Sequence, residues 1–195
     1  MAVAVPKATP DRVRSTSPHG EDAAEGIDIR RLQASFPELE IIELIGRGGM
    51  GEVYRARQVN LDRVVAFKVL PPRLDADPTF AARFTREAQT LAKLNHPNIV
   101  TVFEFGERQG LFYLLMEYVD GADLRHLMRD NTLSPQDALG IISQICDALQ
   151  YAHDLRVVHR DIKPENILVD QRGQVKTADF GLVKLLTPPL PSRYP

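Results

Sequence analysis

At 195 residues the chain is long enough for one domain or two small lobes, each with its own core, and for nothing larger. Its 24 basic and 26 acidic side chains leave a net charge of −2, which excludes the broad cationic field that non-specific binding to nucleic acid or an anionic membrane requires. The single cysteine, Cys146, excludes an internal disulfide and lies in a segment that reads as a buried helix. No stretch approaches the roughly 18 uninterrupted apolar residues of a membrane span, and MAVAVPKATPDRVR has no apolar core of a signal peptide, so a soluble chain in a reducing cytoplasm is expected.

Residues 1–37 mix Pro, Ala, Ser, Gly and charge without period, which predicts a disordered arm. The texture then changes. LEIIELI, EVYRARQV, RVVAFKVL, NIVTVFEF and LFYLLMEYV are short runs rich in β-branched and aromatic residues, broken by GRGGMG, NLD and ERQG, and predict five antiparallel strands. Between the third and fourth, PTFAARFTREAQTLAKL repeats Phe80, Phe84, Ala88 and Leu91 on one helical face. After Gly121 the pattern turns helical. DLRHLMRD is short; the next helix opens on Ser134-Pro135-Gln136-Asp137, a capping-box pattern with proline at the first turn, and its stripe is Ala138, Ile141, Ile142, Ile145, Leu149 and Ala152. The loop VVHRDIKPEN and two short strands, ILVD and QVKTAD, lead to Asp179.

GRGGMG sets glycines at 46, 48 and 51. A dinucleotide-binding turn would need a helix directly after it, but a strand follows, leaving either a plain turn or a flap whose backbone N–H groups approach phosphate oxygens. In RVVAFKVL the period of two puts Lys68 on a face with Val64, Ala66 and Leu70, so its ammonium emerges among apolar groups and needs an anion. Glu87, three residues after Phe84 on the apolar face of the helical segment, is the expected partner, and removing one member of a buried pair costs roughly 3–5 kcal/mol. HRDIKPEN gathers Asp161, a carboxylate able to orient a hydroxyl and take its proton, Lys163, and Asn166, whose amide oxygen suits a hard cation. Asp179 adds a second hard ligand, and such a pair suits Mg²⁺.

In this order GRGGMGEV, VAFK, HRDIKPEN and DFG resemble the protein kinase signature set, and IGRGGMGEVYRAR resembles bacterial serine/threonine kinases of the eukaryotic-like class. The resemblance covers about residues 39 to 184. It implies an α+β, protein-kinase-like fold, with a five-stranded antiparallel N-terminal lobe and one helix over residues 38–118, the first part of a helical C-terminal lobe over 119–186, and a Pro-rich tail at 187–195. It further implies ATP and Mg²⁺ as cofactors and a Ser or Thr hydroxyl of a protein as acceptor. Ile45, Gly46, Gly48, Gly51, Val53 and Ala66 would then surround the nucleotide. Lys68 would contact its phosphates and pair with Glu87, and MEYV would supply the hinge, with Met116, Glu117 and Val119 at the adenine. Asp161 would receive the hydroxyl proton, Lys163 would steady the γ-phosphate, and Asn166 and Asp179 would hold Mg²⁺.

The chain departs from that pattern after Gly181. LLTPPLPSRYP is unlike an activation segment, no A-P-E motif follows, and Arg160 has no activation-loop phosphate to grip. A chain cut short after DFG is therefore expected, through an early stop, a frameshifted end or an incomplete gene model, with self-association through an uncovered C-terminal lobe. A catalytically silent nucleotide-binding or protein-interaction module is the alternative to a working kinase.

Overall fold

A computed structural model of the chain describes residues 27–49, 51–70 and 79–180. It opens on α1 (Ile29–Ser35), followed by β1 (Leu39–Gly48), β2 (Gly51–Gln58), β3 (Arg63–Val69), α2 (Phe80–Leu91), β4 (Val102–Arg108) and β5 (Leu111–Glu117). The five strands form one antiparallel sheet in the order β1-β2-β3-β5-β4. Its one non-sequential step, β3 beside β5 with Lys68 opposite Leu114, arises because the chain crosses by way of α2 to the far edge and returns through a hairpin.

The period of two along β3 accounts for two cores. Val65, Phe67 and Val69 are buried on the outer face with Tyr54, Ala56, Leu111 and Tyr113, while Ala66 and Leu70 join the inner core. Phe80, Phe84, Ala88 and Leu91, the predicted face of α2, are all buried, and Phe84 and Phe112 rings pack 5.1 Å apart beneath the sheet.

The outer core has a cover that the reading of residues 1–37 as a disordered arm misses. Asp28 caps α1 by accepting from the Arg30 N–H, and Leu32 and Phe36 are buried. The Phe36 ring meets Phe67 and Tyr113 edge-on, each at 4.8 Å. A seven-residue helix does not hold itself together in water, so docking onto the sheet is what orders residues 27–36. Residues 1–26 and the Pro-rich tail lie outside the described residues.

Past β5 come β6 (Gly121–Asp123), α3 (Leu124–Arg129), α4 (Pro135–Asp154), β7 (Ile167–Asp170) and β8 (Val175–Thr177), the strands pairing as β6-β7-β8. The capping box forms: Ser134 Oγ accepts from the Asp137 N–H, and Asp137 Oδ2 accepts from the Ser134 N–H, both at 3.1 Å. The buried seam of α4 runs through Ile141, Ala148 and Ala152 and is narrower than the predicted stripe. Ile142 is 54% exposed, and Cys146 is exposed rather than packed: two residues from Ala148 is about 200° around a helix. No helix among the described residues is long and apolar enough to cross a membrane.

Among the described residues, two backbone connections join the lobes. One is the covalent stretch after Glu117; the other is residues 98–100, which lie along β8. There the Val100 N–H donates to Thr177 O at 3.0 Å, and the Thr177 N–H donates to Asn98 O at 2.9 Å. The buried Asn98 side chain donates to Val175 O and Gln144 Oε1. A single apolar cluster containing Phe84, Leu114, Ala148, Val157 and Phe180 runs through both lobes. The expected α+β architecture, a five-stranded antiparallel lobe leading into a helical lobe, is the one observed, with α1 added to the one helix expected on the first lobe.

Candidate active site

The hairpin between β1 and β2 carries GRGGMG. At Gly51, φ is +106°, and a Cβ would lie 2.1 Å from Val69 O, so only glycine lets β2 start against the end of β3. Gly46 and Gly48 belong to β1, with Gly48 facing Gly51 across the hairpin. Below it a cleft of about 1390 Å³, its open mouth included, separates the lobes. Of the residues expected at a nucleotide, Ile45, Gly46, Val53, Ala66, Met116, Glu117, Val119, Asn166 and Asp179 line it together. Val100, Leu168 and Ala178 also line it and were not expected. Leu168, two residues after Asn166 on β7, is the one that the alternation of a strand could have found.

Lys68 is 3% exposed on the inner face of β3, as its period predicts, and its ammonium is held by a carboxylate. That carboxylate belongs to Asp179: Nζ lies 2.7 Å from Oδ1 and 2.8 Å from Oδ2. The expected pairing with Glu87 is not made. Glu87 Oε1 lies 3.5 Å from the Arg86 guanidinium and borders a cavity also lined by Arg86, Arg156 and Arg160, a cationic setting that competes with a single ammonium. The rotation of α2 is fixed by the burial of Phe80, Phe84, Ala88 and Leu91, and that rotation leaves Glu87 at the edge of the apolar face instead of over Lys68.

Asp161 and Lys163 form a second pair, Nζ to Oδ2 at 2.7 Å. Asn166 is buried, and its amide nitrogen donates to Asp161 O at 2.7 Å and to Asp161 Oδ2 at 3.1 Å. The Lys163 ammonium, then the Asn166 amide, holds the Asp161 carboxyl below the usual carboxylate range, and Asp161 in turn raises Lys163. The two clusters are tied by the backbone, where the Ala178 N–H donates to Asn166 O at 2.8 Å.

His159, with Phe180, fastens the loop to the strand before Asp179. Its Nδ1 accepts from the Asp161 N–H at 3.3 Å, so Nε2 carries the proton and donates to Ala178 O at 2.8 Å. The ring is therefore neutral, and burial lowers its pKa accordingly. The Phe180 ring sits 4.4 Å from it, and Phe180 shares the buried cluster of Leu91. Arg160 and Asp179 adopt φ of 70° and 59°, left-handed backbone that costs a non-glycine residue about 1 kcal/mol or more and persists only where neighbours determine it. Anchored His159 supplies that constraint on one side and the Lys68 ion pair on the other.

Residues 39–193 match the family model described as the protein kinase domain. The serine/threonine-protein kinase PrkC of Bacillus subtilis is 45% identical over 149 residues, which is 76% of this chain and 23% of that protein. Pkn3 of Myxococcus xanthus, also named a serine/threonine-protein kinase, is 47% identical over 148 residues, 73% of this chain and 27% of its own length. The crystal structure of a cysteine-to-alanine mutant of the Mycobacterium tuberculosis PknI kinase domain superposes with a TM-score of 0.67 at 35% identity, covering 74% of this chain and 60% of that domain. This chain thus spans about a quarter of the length of these curated relatives, and more than half of the solved domain. With the five-stranded lobe, the cleft and the paired clusters in place, the chain belongs to the protein kinase domain family.

Proposed function

We propose that the chain binds MgATP in this cleft and transfers the γ-phosphate to a Ser or Thr hydroxyl of a protein substrate. The observation that supports the reading is the continuous network from Lys68 through Asp179, Ala178 and Asn166 to Asp161 and Lys163, which joins residues from three separate motifs. Val53, Ala66 and Met116 offer apolar faces to adenine, the backbone of Glu117 and Val119 its polar edge, and the flap glycines 46, 48 and 51 its phosphates. Lys68 takes the α- and β-phosphates. The hard oxygens of Asn166 and Asp179 fit Mg²⁺, which keeps waters and takes few protein ligands; when bound it neutralises charge on the phosphate oxygens. Phosphate oxygens would draw the ammonium off Asp179.

Asp161 orients the acceptor hydroxyl and receives its proton as the acceptor oxygen bonds to phosphorus and the bond to the β-phosphate bridging oxygen breaks, releasing ADP. Its depressed pKa keeps it ionised at neutral pH, and Lys163 offsets charge on the transferred group. Transfer of radiolabelled phosphate from ATP to a protein acceptor, abolished by Asp161→Asn, tests this.

The pairing of Lys68 with Asp179 in place of Glu87 favours a second reading, a catalytically silent nucleotide-binding or interaction module. Calorimetric MgATP binding without transfer would select it. A cytoplasmic location and self-association through exposed Leu139 and Ile142 on α4 belong to the same proposal, and sedimentation velocity reads the second.

A further inference from the structure

Glu52 is a carboxylate in an apolar setting. The alternation of β2 sends it to the outer face with Tyr54 and Ala56, and it is 5% exposed. A charge so buried must be satisfied by donors, and three reach it. Arg47 Nε lies 2.7 Å from Oε1, while the Tyr54 hydroxyl at 2.5 Å and the Ile27 N–H at 3.2 Å both donate to Oε2. Burial, then the Glu52 hydrogen bond, pushes the Tyr54 phenol up, so it remains a donor.

These donors belong to different parts of the molecule. Arg47 stands between Gly46 and Gly48, opposite Glu52 in the hairpin register, so it gives the flap a side-chain grip on β2. Ile27 directly precedes Asp28, the N-cap of α1, whose Leu32 and the adjacent Phe36 are locked into the outer core. No glycine of the flap has a side chain with which to hold its own position, so the Arg47–Glu52 contact constrains the hairpin more than its exposure suggests.

We propose that Glu52 is a positioning residue that couples the N-terminal segment at Ile27 and α1 to the glycine flap through Arg47, so that docking of this segment raises affinity for the phosphates of a nucleotide. The inference rests on the reading of the cleft as an ATP site. It makes residues 27–36 a control element: whatever displaces them loosens the flap and leaves the adenine pocket unchanged.

The test compares affinities for MgATP and adenosine by calorimetry on the full chain. Adenosine fills the pocket of Val53, Ala66 and Met116 without phosphates for the flap to hold. Glu52→Gln and Arg47→Ala should each weaken MgATP roughly fivefold or more, the lower end of ordinary coupling between sites, and leave adenosine within about twofold. The double variant should be no worse than either single one. By reciprocity MgATP, but not adenosine, should slow hydrogen exchange of residues 27–36, and Arg47→Ala should remove that protection.

Equal weakening of both ligands would reduce Glu52 to a structural role and overturn the proposal. So would an effect of Arg47→Ala with none from Glu52→Gln, which would make Arg47 a direct phosphate contact. If Glu52→Gln does not fold, Arg47→Ala and the exchange measurement decide alone, because the Arg47 side chain is 57% exposed and Glu52 keeps its Tyr54 and Ile27 donors when Arg47 is lost. A wild-type chain that binds neither ligand would instead overturn the ATP reading itself.

Discussion

Phe36→Ala asks whether the segment before β1 is part of the folded lobe. Phe36 is 1% exposed, with Phe67 and Tyr113 edge-on at 4.8 Å and the Arg108 guanidinium 4.8 Å from its ring. Truncating a buried phenylalanine costs about 3–5 kcal/mol, depending on how far the site can collapse. Here one wall is the Arg108 side chain, 38% exposed and able to settle into the space, so the lower end, about 3 kcal/mol, is expected. With a urea m-value of about 2 kcal/mol/M, the unfolding midpoint should fall by about 1.5 M. Ile29→Ala, on the helix that Phe36 follows but 52% exposed, is the control and should move the midpoint by no more than about 0.3 M. Far-UV circular dichroism follows both titrations. Equal, small shifts for the two variants would mean that residues 27–36 leave the sheet readily, and the reasoning on the outer core would be refuted.

Gly51→Ala puts a Cβ 2.1 Å from Val69 O at φ +106°, so β1 and β2 must separate from the end of β3; a loss of about 1–3 kcal/mol in stability and a weakened MgATP titration are expected. Lys68→Met should lower phosphoryl transfer by on the order of 10²–10³, the effect of losing one preorganised donor, and a variant with wild-type turnover would remove Lys68 from the chemistry. Stability should also depend on His159. Its folded-state pKa lies below the ordinary value of about 6.5, so as pH falls through that value the unfolded chain takes up a proton that the folded chain resists. The urea midpoint should decline as pH drops below about 6.5, and His159→Asn should flatten that part of the profile; an unchanged slope in the variant would show that another group carries it.

The sheet was legible because each strand declares its own faces: a period of two placed Ala66, Lys68 and Leu70 together, and the structure keeps them so. The cleft followed, since residues from the flap, the hinge and the loop need only the strand order to meet there. What a single element cannot declare is its rotation against another. Glu87 shares a helical face with Phe84, yet whether that face turns its edge to Lys68 depends on how four buried residues seat beneath the sheet. The choice of Asp179 was equally out of reach, because it lies 111 residues from Lys68 and its left-handed backbone has no signature in the sequence. The segment before β1 was lost for a different reason: two apolar side chains, Leu32 and Phe36, in a polar stretch are too few to show a period. Asp28 followed by Ile29, Leu32 and Phe36 was the available signal.

The attachment of residues 98–100 to β8 limits how the cleft can open. Once the Lys68–Asp179 pair is released, the sheet is held by backbone at two places, the stretch after Glu117 and the Ile99–Thr177 bridge, and keeps one rotation, about the line through them. Both anchors sit at the β4–β5 side. Asp179 lies two residues beyond Thr177, close to that axis, whereas β1 lies three strand spacings from β5, roughly 14 Å away. Opening must therefore swing the glycines through a wide arc while the carboxylate stays nearly still, so nucleotide exchange would leave the Asn166–Asp179 donor set standing in place.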